Sequence, residues 1–269
     1  MKVKHQNKME DERNFTKGLP SGTREYNYLG FEHMKEVLRQ DEGLFAIFKN
    51  VPPEEIEKHQ DFPGRLDYSP PLQILIINMI SHPHEIAAAW FNHLLLSKAD
   101  HILPLGATSS KVPAREKQAD SSWRPRPNPP GRSPSWPTVA LEVALSESRA
   151  KVKRDVSWWL HESNGDVRMV LTIDIKTTSG DIYINSWDRG EIMPTRLHPY
   201  PEPRTIQEIK IYRNQSPMLD GDDLVIPFDK MMLRKPGPRE GPFIFTKKEL
   251  QGLAERVWEG MDLYEKSNK

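Results

Sequence analysis

The 269-residue sequence carries 38 basic and 38 acidic side chains, 24 prolines and no cysteine. A net charge of zero and a pI near 7.2 exclude a uniformly basic nucleic-acid coat or an acidic tail protein, but not a local basic cleft. The lack of cysteine excludes disulfide scaffolds, thiolate nucleophiles, zinc–thiolate sites and iron–sulfur clusters, so oxygen or histidine nitrogen must hold any metal.

Residues 1–25 are polar and aperiodic, which predicts a disordered arm ahead of one domain over 26–269. The opening MKVKHQNKMEDERN has no apolar core of the secretory kind. The longest apolar stretch, Leu72 to Ile80, is broken by Gln73 and Asn78 and is too short for a bilayer. An intracellular protein without a membrane segment is therefore expected.

Phe31, Met34 and Leu38 predict a helix over 31–40, and Pro52-Pro53 followed by Glu54 and Glu55 starts a second, short one. Residues 72–80 read as a strand. A helix follows from Ser81, with Ile86, Ala89, Trp90 and Leu94 on one face. A strand is expected over 114–120, and the proline-rich stretch 121–137 is expected to be irregular. Thr138 to Leu145 reads as a strand buried on both faces.

Ser148 caps a helix to about Glu162, with Val152, Val156 and Trp159 as its buried stripe and Asn164-Gly165 as its stop. Strands starting at Val167 and Asp181 join through Ser179-Gly180. An edge strand over 205–213 and a short one over 224–228 come next. The last helix opens on a Thr246…Glu249 capping box and buries Leu250, Leu253, Val257, Trp258 and Met261. The order predicts a mixed α/β fold.

No phosphate loop, dinucleotide fingerprint, nucleophile elbow or zinc-protease helix is present. His82, His84, His93 and His101 match no metal spacing and read as capping or surface residues. Glu142 stands out, because it interrupts the apolar run from Val139 to Leu145, where an unpaired carboxylate costs several kcal/mol in order of magnitude. Asp120 ends the preceding candidate strand. Two carboxylates at adjacent strand ends form a hard-oxygen site for Mg²⁺ or Mn²⁺, which can activate water against a phosphodiester. The plain alternative puts Glu142 on a solvated sheet face and makes Asp120 a turn starter.

Asp120, a long loop, Leu141-Glu142-Val143-Ala144, Ser146-Glu147-Ser148 and a helix carrying Asp155, Trp158 and Trp159 together resemble the PD-(D/E)XK nuclease superfamily, in its restriction-endonuclease-like branch. The resemblance spans about residues 65–262. It implies a mixed central sheet flanked by helices, here with long proline-rich loops. It also implies metal-assisted phosphodiester cleavage, with Asp120 and Glu142 as metal ligands; Glu85 is the candidate third acid, and its alternative is a partner for the dipole in the first turn of its helix. One position departs from the pattern: Ala144 stands where the superfamily's Glu-x-Lys has lysine. Lys151 or Lys153, on the following helix, is the expected stand-in.

Residues 111–155 hold ten basic against five acidic side chains, which suits a polyanion such as nucleic acid. Two readings follow. One is a metal-dependent nuclease. The other is a catalytically inactive protein of the same fold that binds nucleic acid or protein, or serves as an accessory protein.

Overall fold

The computed structural model describes residues 2–59, 61–145, 147–190, 195, 202–216 and 218–267. In chain order the elements are α1 (Lys2–Thr16), β1 (Arg24–Asn27), α2 (Phe31–Gln40), β2 (Phe45–Lys49), α3 (Pro53–Lys58), β3 (Arg65–Ser69), β4 (Ile74–Asn78), α4 (His82–Leu96), β5 (Ile102–Pro104), β6 (Ser109–Val112) and β7 (Arg115–Gln118). They continue with β8 (Ser121–Pro125), β9 (Val139–Leu145), α5 (Arg149–Glu162), β10 (Met169–Ile175), β11 (Ile182–Asp188), β12 (Arg204–Ile211), β13 (Leu219–Asp220), β14 (Leu224–Ile226), α6 (Phe228–Met232), β15 (Phe243–Phe245) and α7 (Lys247–Ser267). Where the sequence pattern reads as one domain, contacts group the chain into two compact units. The first comprises residues 1–81, 109–118 and 147–151, and the second residues 82–108, 119–146 and 152–269.

The first unit is built on a mixed six-stranded sheet of order β1-β2-β4-β3-β7-β6, parallel only at β1–β2. Alternation along β2 divides its core. Ala46 and Phe48 join Met34 and Leu38 of α2 together with Tyr68, Leu75 and Ile77. Phe45 and Ile47 join Ile74 and Ile76 on the other side, where Phe15 and Leu19 also pack. That contact explains a difference from the sequence reading: residues 2–16, predicted to be a disordered arm, form α1. The helix is polar along nearly its whole length, and Phe15 docks its C-terminal end.

Between β3 and β7, the Arg115 guanidinium donates two hydrogen bonds to the Asp67 carboxylate, each 2.6 Å long, and also lies 5.7 Å from the Phe15 ring centre. Both side chains are buried.

The second unit carries a mixed seven-stranded sheet of order β13-β12-β11-β10-β9-β8-β5, and the two-stranded sheet β14–β15. β9 and β10 run parallel, with most of α5 as their crossover, and the other pairs are antiparallel. In β9 every residue except Glu142 is buried. The β10–β11 connection turns at Gly180, whose φ of +75° favours glycine. The capping box of α7 forms as its spacing predicts: the Thr246 amide donates to Glu249 Oε2 at 2.7 Å and the Glu249 amide to Thr246 Oγ1 at 3.3 Å.

Two expectations change here. Residues 121–125, read as irregular, form β8, because Trp123 is fully buried and the strand pairs on both sides. Pro125 sits at the strand's end, where a missing N–H costs least. β12 is not the sheet's edge, since the two-residue β13 pairs outside it.

Replacing Asp67 with alanine leaves a buried guanidinium without its bidentate partner. Urea unfolding of Asp67→Ala should show a loss of about 3–5 kcal/mol. A loss below about 0.5 kcal/mol, as for an ordinary surface substitution, would contradict the pairing.

Candidate functional site

The chain leaves β7 at Gln118 and enters β8 at Ser121, so Asp120 lies in the link between them. The β8–β9 register pairs Ser121 with Leu141 and Ser122 with Ala140, which carries Asp120 alongside Glu142 on the neighbouring strand. The Asp120 amide donates to the Leu141 carbonyl at 3.1 Å, and its Oδ2 accepts from the Val143 amide at 2.6 Å. Its Oδ1 lies 3.2 Å from His84 Nε2 on the first turn of α4. The Asp120 side chain is 2% exposed and that of His84 is 3%.

This pair sets the electrostatics of the site. Burial favours a neutral His84, but the charge of Asp120, with a smaller contribution from Glu85, outweighs it and pushes the imidazole up to about 10. The direction of the shift favours the charged imidazole, which faces the buried Asp120 carboxylate. A capping or surface role, as the sequence predicts for the histidines, does not describe it. The sequence did carry a signal: His84 shares the buried face of α4 with Ala87, Ala88, Phe91 and Leu95 at helical spacing.

Glu142 is half-buried and takes a different partner. Its Oε1 accepts a hydrogen bond from the indole N–H of Trp159, which is fully buried on α5. Trp159 packs edge-on against Trp158 and Trp136, with ring centres 4.8 and 6.0 Å away. Trp136 thus anchors the end of the proline-rich loop, and Trp123 is held by a 2.8 Å hydrogen bond from its indole to Asn92. Neither ring is open for stacking a base.

The remaining candidates are already engaged. Lys151 is buried, 2.9 Å from Glu147, with its ammonium 4.8 Å from the Phe45 ring centre. Lys153 donates to Glu202 at 3.2 Å. Glu85 is 47% exposed, and its Oε1 is 3.9 Å from His84 Nδ1. Ala144, which shares the face of Glu142, is buried. Ser146, part of the motif, lies outside the described residues.

A Mg²⁺ or Mn²⁺ ion needs oxygen ligands in near-octahedral array and keeps several waters. The donor set does not fit that demand. Both Asp120 oxygens are engaged, one by a cation that repels a second, and the carboxylate is nearly closed to solvent. Among the described residues, no three histidine, aspartate or glutamate side chains gather where they could hold a metal ion.

The His84–Asp120 pair has a pH signature. A folded imidazole that titrates above its ordinary 6.5 contributes stability in full below that pH and loses it as pH rises toward about 10. Unfolding free energies of the wild type and His84→Gln should therefore differ at pH 6 and converge at alkaline pH. A gap that stays constant with pH would contradict the ion pair.

No family model matches the chain, and no curated protein matches it. Among solved structures it is similar to a DUF820 protein from Anabaena variabilis, described as a "putative nuclease", at 13% identity and a TM-score of 0.46, covering 76% of this chain and 99% of that one.

Proposed function

We propose that this protein is a non-cleaving binding module, with nucleic acid as its partner, on a mixed α/β scaffold whose motifs resemble the restriction-endonuclease-like nucleases. The observation that carries the reading is the buried contact of His84 with Asp120, whose Oδ1 lies 3.2 Å from the imidazole Nε2. His84 supplies the positive charge that the resemblance assigns to a metal, and a fixed side-chain cation activates no water as a metal does. Ala144 removes the usual ammonium group beside Glu142, and Lys151 and Lys153 are tied to Glu147 and Glu202.

Charge supports a polyanion as partner, although not where residues 111–155 first suggest. Arg115, Lys117 and Lys151 in that segment are buried, and Arg132 is taken up by the carbonyls of Pro137 and Asp166. Arg126 and Arg149 remain exposed. More cations lie in a cleft of the second unit. Among the described residues no helix is long and apolar enough to cross a membrane.

Incubation with single- and double-stranded DNA and RNA, in Mg²⁺, Mn²⁺ or EDTA, tests the reading. Retention of oligonucleotide without cleavage is expected in all three. Divalent-dependent cleavage that disappears in Glu142→Ala would overturn it.

A further inference from the structure

The second unit contains a cleft of about 640 Å³ whose wall includes Arg168, Arg189, Lys230, Arg234 and Lys235, with Asp188 and Asp229 as its acids. Arg168 precedes β10, Arg189 follows β11, and the other three come from α6 and the turn after it. The cleft is separate from the Asp120–Glu142 pair. Met169 pairs with Val139 and Thr172 with Glu142, so Arg168 lies about 13 Å along the strand from the level of Glu142, at the usual rise per residue.

Asp188 serves as an internal brace. It accepts two hydrogen bonds from Arg204, at 3.1 and 2.8 Å, one from Lys230 at 2.8 Å and one from the Gly190 amide at 2.9 Å. Burial alone would raise this carboxyl. The donors outweigh it and hold the group at about 2, so Asp188 remains an anion and fixes Lys230 in the wall. Arg234 is fixed by Glu240 and lies 4.9 Å from the Phe228 ring centre.

The side chains of Arg168, Arg189 and Lys235 have no acidic partner among the described residues. These three cations, with no ion pair among the described residues, share the concavity with Asp229 as the acid outside the Asp188 brace, so positive charge predominates in the wall. Guanidinium forks match phosphate oxygens in pairs, and the cleft's volume falls in the range of small-ligand sites.

We propose that this cleft binds a phosphate-bearing anion, with Arg168, Arg189 and Lys235 as the groups that contact the phosphoryl oxygens. This deepens the reading of the chain as a binding module by giving the module a second locus, outside the carboxylate pair. The ligand chemistry is the same whether the phosphate belongs to a free phosphorylated compound or to a nucleic-acid backbone.

Calorimetric titration of the full chain with pyrophosphate, and separately with a single-stranded oligonucleotide, tests the proposal. Wild type should bind pyrophosphate at one site, weakening as salt rises. Arg168→Gln/Arg189→Gln should bind at least about tenfold more weakly, given the strength of charge-assisted hydrogen bonds. Arg39→Gln, at an exposed position of α2, should leave binding unchanged and serves as the control for charge alone.

Both arginines of the double variant lie at the surface, and a matching unfolding midpoint verifies its fold. Pyrophosphate displacing the oligonucleotide identifies a backbone phosphate as the occupant, and pyrophosphate binding alone identifies a free phosphate; either supports the site. No pyrophosphate binding, or binding equal in the double variant, would overturn it. Failure here leaves the non-cleavage reading intact, because cleavage is assayed independently.

Discussion

A carboxylate sealed from water needs a positive partner, and in the second unit the Asp120 carboxylate finds it in His84. The buried pair ties the first turn of α4 to the link before β8, while the other carboxylate oxygen takes the Val143 amide of β9. Three elements are thereby fixed around one charge. The arrangement is costly to break, since removing either partner leaves the other buried and uncompensated, at about 3–5 kcal/mol. The proposed function rests on the same charge balance. An imidazolium already supplies what a divalent ion would bring to Asp120, and Glu142 is turned to the indole of Trp159.

Much of the framework was legible because it rests on local rules. The apolar run over Val139–Leu145, the serine-capped helix after it and the capping box of α7 each follow from spacing or from a hydrogen bond within a few residues. What was hidden depends on distant partners. β8 lies in a proline-rich stretch and becomes a strand because β5 and β9 flank it. α1 is polar in sequence and is docked through Phe15 against β2 and β4. His84 has no local signature of charge, and Asp120, which gives it one, lies 36 positions away in the sequence.

Charge shows the same contrast. The excess of basic residues over 111–155 suggests a polyanion surface, yet Arg115 and Lys151 are spent on Asp67 and Glu147, and Arg132 on loop carbonyls. Three cations of the cleft wall, Arg168, Arg189 and Lys235, which have no acidic partner among the described residues, are spread over 68 positions, and no sequence window gathers them. Folding both consumes a visible basic cluster and assembles a hidden one. Fields that act on ligands depend on the unpaired remainder, which only the paired structure defines.

The central claim is that His84, not a metal ion, compensates Asp120. Titration of Mn²⁺ into the wild-type protein at neutral pH, followed by calorimetry, tests it most directly. The account predicts no saturable heat of binding at this site. One-site Mn²⁺ binding that Asp120→Asn and Glu142→Gln each abolish would contradict it.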